Sequence, residues 1–163
     1  MILGPTRAPR FTAHERRVLT LVAQGHDGRA LAEDGLYPSD AAAWRGVADL
    51  GCAFSGGECI RWTRIVHLTT SRGVVPVLHS RTLVVPGFQL DLLRALAAGC
   101  ELTEYADKSR GAVTLTEVRE LLVLLCGRLD ARNAQHAVYR GHQACLLTAS
   151  DPLPVAFRTA VLA

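Results

Sequence analysis

The sequence predicts an all-α protein made of two small helical units in tandem, over residues 11–76 and 85–147. Three observations lead there. Ala, Leu, Val and Arg dominate while aromatics are scarce, a mixture that favours close-packed helices over a sandwich or barrel. Apolar residues recur at helical spacing behind strong helix-start signals at Thr12–Glu15 and Thr114–Glu117. The apolar pattern of the first unit also returns in the second at a nearly constant offset. With 163 residues the chain has room for one ordinary domain or two very small ones.

Residues 1–10, with two prolines, a glycine and two arginines, read as a loose arm. Thr12-Ala13-His14-Glu15 then forms a capping box, in which the threonine oxygen accepts from a free amide and Glu15 reaches back. Val18, Leu21 and Val22 make an apolar stripe, and Gly25 is placed to end that helix in a left-handed conformation. Asp27 caps a short helix from Gly28 to Asp34 that turns Leu31 and Ala32 inward. Gly35, Tyr37 and Pro38 break it, and Ser39 opens a third helix to about Leu50 through Ala42, Ala43 and Val47. Gly46 lies inside that helix, where glycine is worse than alanine by roughly 1 kcal/mol.

Residues 51–60, with the pair Gly56-Gly57, read as a lengthened turn. The stretch RWTRIVHLTTSRGVVP (61–76) admits two readings. One is a fourth helix. The other is a short β hairpin near 64–85, because Ile65, Val66, Thr69, Thr70, Val74, Val75 and Val77 are β-branched around a Ser71-Arg72-Gly73 turn. A linker over 77–84 leads to Pro86, which opens the second unit where a missing N–H does no harm.

In the second unit Leu92, Leu93, Leu96 and Gly99 retrace Val18, Leu19, Val22 and Gly25 at an offset of 74. Leu31-Ala32 matches Tyr105-Ala106 at the same offset, and Ile65-Val66 matches Ala137-Val138 at 72, a drift that loop insertions produce. Thr114 to Glu117 starts a helix running to about Arg128, with Val118, Leu121, Leu122 and Leu125 facing inward. Asn133 caps the last full helix, where Ala134, Ala137, Val138, Gly141 and Cys145 line a narrow small-residue face. Two separate hydrophobic centres are expected, one per unit. The tail 148–163, with Pro152, Pro154 and VAFRTAVLA, reads as a segment that docks on a neighbour.

Several of these strings resemble the LuxR-type (NarL/LuxR) helix-turn-helix domain. FTAHERRVLTLVAQG is similar to its first helix, with His14 where an arginine is usual. Leu129, Arg132-Asn133, Ala137-Val138 and Leu146-Leu147 are similar to its closing segment. The resemblance covers about 130 residues. It implies two divergent DNA-reading units with recognition helices at about 39–50 and 115–128, and pairing through the fourth helices at Ala134, Ala137, Val138 and Gly141. The first recognition helix departs from the pattern at Ala42-Ala43, where a Thr-Val pair is usual.

The function this implies is a transcriptional regulator that binds double-stranded DNA, as a homodimer or an internal pseudo-dimer. Long donors suited to base edges and phosphates are Ser39, Trp44 and Arg45 in the first unit, and Thr114, Arg119, Arg128 and Arg132 in the second. Each such arginine also fits a solvated face paired with local acids, and Ser39 and Thr114 also fit helix caps. Charge speaks for an alternative. Lys plus Arg equal Asp plus Glu, seven to seven, in residues 11–76 and again in 85–147. Glu117 and Glu120 would repel phosphates. The alternative is a protein-interaction module that binds a regulator, RNA polymerase or another copy of itself. No P-loop, GxSxG or HExxH string and no paired carboxylates point to catalysis. Five cysteines without CxxC spacing, and His136 and His142 six apart, give no metal site, and no cofactor is expected. His14 and His67 read as surface or partly buried side chains. No apolar run is long enough for a membrane, and a reducing cytoplasm is expected.

Overall fold

The computed structural model describes residues 10–149 apart from 56, 59, 81, 82 and 110. Among the described residues eight helices follow in order: α1 (Ala13–Ala23), α2 (Gly28–Glu33), α3 (Asp40–Ser55), α4 (Trp62–Ser71), α5 (Gly87–Ala97), α6 (Leu102–Lys108), α7 (Leu115–Leu129) and α8 (Ala134–Gln143). No strand occurs among the described residues, and the protein is all-α. The arm, Gly56, Cys59, Arg81 and the tail from 150 lie outside the described residues.

The helix starts follow the capping chemistry. Thr12 accepts from the Glu15 amide at 3.2 Å while Glu15 accepts from the Thr12 amide at 2.6 Å. Thr114 and Glu117 repeat the arrangement at 3.3 and 2.6 Å. Asp27, Ser39 and Asn133 each accept from the amide three residues on.

Two local expectations are corrected. The β hairpin is absent: residues 62–71 form α4, because Ile65, Val66, Thr69 and Thr70 are buried on helical faces and Thr69 satisfies its hydroxyl on the Ile65 carbonyl at 2.8 Å. The turn expected over 51–60 is shorter, since α3 runs on to Ser55. Gly51 does not break α3 because it lets Ile65 of α4 approach, and Phe54 stacks on Phe11 with ring centroids 5.5 Å apart. Gly46 likewise sits inside the helix with the Tyr37 ring over it.

The repeat extends to the helix ends. Gly25 (φ 90°) and Gly99 (φ 86°) close α1 and α5 with the same paired bonds, Gly25 N–H to Val22 and His26 N–H to Leu21, then Gly99 N–H to Leu96 and Cys100 N–H to Ala95. The fourth helices close alike at Gly73 (φ 70°) and Cys145 (φ 57°).

The units do not keep separate hydrophobic centres. Val18, Val22, Leu31 and Ile65 from the first and Leu92, Leu93, Leu125 and Val138 from the second belong to one continuous buried cluster. The merger runs through α4 and α8, which pack on each other and each reach into the opposite unit, α8 against α1 and α4 against α5.

Cys145 holds a left-handed conformation that its counterpart fills with glycine, a strain of about 1 kcal/mol for an L side chain. Cys145→Gly is therefore expected to raise the urea midpoint with an unchanged m-value. An equal or lower midpoint would show that the left-handed position carries no strain.

Candidate functional site

The fourth helices exchange their N-termini. The Asn133 side-chain amide at the start of α8 donates to the Gly25 carbonyl at the end of α1, at 2.9 Å. At the equivalent place Arg64 of α4 donates to the Ala97 carbonyl at the end of α5, at 3.3 Å. Both docking glycines are crowded, Gly25 by His136 and Gly99 by Arg64, so a side chain at either would push the incoming helix away. Arg61 adds an ion pair to Glu101 on the second side.

The small-residue face of α8 is used up in this packing. Ala137 and Val138 are buried, and a methyl group on Gly141 would stand 2.9 Å from Leu93 of α5 and 3.1 Å from Leu147. Ala134, half-buried, lies at the edge of a cleft. A second chain cannot reach the first three of these residues without unfolding the contact. Where α4 and α8 cross, His67 Nδ1 and His142 Nε2 lie 3.0 Å apart, both rings buried, so one nitrogen carries the proton and the other accepts it. His67 is thus a core residue, not a surface one. The contact joins residues 75 apart, so local periodicity carries no trace of it.

The expected DNA-reading residues divide into four kinds. Ser39 and Thr114 are exposed and accept as helix caps, and the Thr114 hydroxyl also donates to Glu117 at 2.8 Å. Arg128 donates to the Gln89 side chain at 3.1 Å. Arg45, Arg119 and Arg132 are exposed and make no ion pair among the described residues. Trp44 is 47% exposed and lies on Trp62, ring centroids 4.2 Å apart.

Trp44 and Arg119 meet across one cleft of about 810 Å³. It is walled by α3 and the start of α4 on one side, and by the α5–α6 corner and α7 on the other. Cys100 lines it without being reactive: burial, with Glu104 adding, pushes the thiol up to about 12, so it stays protonated and packs as an apolar group.

The outward side of α7, one turn beyond Arg119, is the other unusual surface. Val123 and Leu124 are 70% and 59% exposed, a side chain at the neighbouring Gly127 would meet nothing, and Glu117 and Glu120 flank them. Leu121 and Leu122, expected to face inward, are both half-buried. Helical periodicity gives no reason for two more apolar residues to follow them into solvent. No group of three metal-ligating side chains occurs among the described residues. No helix among them is long and apolar enough to cross a membrane.

His136 supplies a pH test of the α8 docking. Burial, with Arg140 and Arg132 adding, lowers its proton affinity, and its Nδ1 accepts the Arg132 amide at 3.2 Å. The unfolded chain therefore binds this proton more readily than the folded one. The stabilisation from a neutral ring is complete above the ordinary imidazole value of about 6.5 and is lost as pH falls through it. His136→Gln is expected to flatten the fall in stability between roughly pH 7 and 5. An unchanged slope would remove His136 from the account. Gly141→Val, which overpacks Leu93 and Leu147, is expected to cost at least about 2 kcal/mol in chemical denaturation, and a neutral result would mean that α8 does not sit against α5 as described.

No protein-family model, no curated protein and no solved structure matches this chain.

Proposed function

We propose that the chain is a protein-interaction module carried on a pair of helix-turn-helix-like units, and that α7 is the helix through which it engages its partner. The observation that carries this reading is the exposed face of α7. Where a DNA-reading helix needs donors, this helix presents Val123, Leu124 and the bare backbone of Gly127, with Glu117 and Glu120 beside them. Apolar side chains at such exposure are stabilised by covering them, and acids there are repelled by phosphate. The equal numbers of acids and bases in each unit point the same way.

A second copy of the chain fits the face best. The exposed side of α7 carries Glu117 and Glu120 near its start and Arg128 near its end. An antiparallel α7 from another copy would set acid beside base at both ends of the apolar stripe. A basic, apolar helix of a regulator or of RNA polymerase would use the same surface.

Binding to double-stranded DNA is the second reading, and one arrangement favours it. In the LuxR-type domains that the sequence resembles, pairing runs through the fourth helices, and here α4 and α8 pack on each other within one chain. Arg45, Arg119 and Arg132 remain exposed without ion pairs among the described residues.

Two measurements separate the readings. Mass in solution against protein concentration is expected to show a dimer, and Leu124→Glu to weaken it at least about tenfold. Affinity for random duplex DNA is expected to be weak, with a shallow log-log slope against salt. A strict monomer with a slope of several phosphate contacts would overturn the interaction reading in favour of the DNA one.

A further inference from the structure

We propose that the cleft between α3–α4 and α6–α7 binds a small organic anion with a flat apolar body, its ring against Trp44 and its charge beside Arg119. Val123 and Leu124 do not line the cleft, although Val123 lies one turn of α7 beyond Arg119, and the proposal stands whether or not that face binds a partner.

Size comes first. A cavity of about 810 Å³ lies within the range that encloses a small organic molecule. Its walls are apolar at Ile60, Leu96, Leu102 and Leu122, so the body of a ligand would gain by leaving water. Trp44 stacks on Trp62 on one side and remains 47% exposed, leaving ring surface free for a second flat group.

Charge sets the sign of the ligand. The charged side chains lining the cleft are Arg61, Glu101 and Arg119. Arg61 is paired with Glu101, and Arg119 has no ion pair among the described residues. The Cys100 thiol adds no negative charge, because burial keeps it protonated. One guanidinium is therefore left over, and a carboxylate or sulfonate on the ligand can take two of its donors. Because the walls come from both units, such a ligand would hold the units together and stabilise the folded chain in proportion to its occupancy.

The chain contains two tryptophans, and both line this cleft, so their indole N–H signals report on it directly. The full chain, labelled with nitrogen-15, is titrated with 2-naphthoate and with the uncharged 2-naphthalenemethanol. Both indole signals are expected to move saturably with 2-naphthoate, and the alcohol is expected to bind about tenfold more weakly. Arg119→Gln, a change at an exposed position, is expected to weaken the acid about tenfold and leave the alcohol unaltered, with a dispersed spectrum as the check on folding. If neither indole signal moves at about 1 mM acid, no such site exists. If acid and alcohol bind alike and Arg119→Gln changes neither, the cleft has no preference for anions and the proposal falls. Neither result bears on self-association through α7, which is read from mass.

Discussion

Everything in this fold depends on two helices that belong to one unit by sequence and to both by packing. The N-terminus of α8 is held on the last turn of α1 by Asn133, and that of α4 on the last turn of α5 by Arg64. Each contact is possible because a glycine with positive φ ends the receiving helix and keeps its surface bare. Between the two docking points α4 and α8 cross at close range, with Ala137, Val138, Ile65 and Val66 shut away from water. A 60-residue helical unit buries little apolar surface on its own. Sharing one core between two such units supplies the remainder, which is why the buried cluster runs unbroken through the chain.

Much of this architecture was legible in the residues, because capping chemistry is local. Thr12-Glu15 and Thr114-Glu117 mark helix starts wherever the chain later packs, and Gly25 and Gly99 mark ends by their conformation. The recurrence of Val18, Leu19 and Val22 as Leu92, Leu93 and Leu96 was legible too, and the helices that carry them close with the same glycine bonds. What stayed hidden depends on partners far along the chain. Gly46 reads as a weakness inside α3 and Gly51 as part of a turn, yet they are where Tyr37 and Ile65 lie closest. Ile65, Val66, Thr69 and Thr70 also fit a strand, and burial against the other unit decides for helix. The His67–His142 contact and the cleft between Trp44 and Arg119 join residues 75 apart.

The surfaces left over after this packing bear directly on function. In α7 three sides have three fates: Val118 and Leu125 are in the core, Leu122 and Arg119 line a cleft, and Val123 and Leu124 face water. A helix that reads bases has no use for the third side as it stands. Of the two hydroxyls that would suit phosphates, that of Thr114 already donates to Glu117, and that of Ser39 accepts from the Ala42 amide. Electrostatics and exposure are the grounds of the interaction proposal, and the packing of α4 on α8 is the ground of the DNA one.

The imidazole contact at that crossing has a further meaning. At the sequence offset of 72, the residues matching His67 and His142 are Tyr139 and Thr70, so the two sides of the crossing carry different chemistry. In a dimer of identical chains every substitution at the axis is written twice and must suit itself. Within one polypeptide that requirement does not hold, so α4 and α8 can each change alone at their contact, and the difference between α3 and α7 is an asymmetry of the same kind.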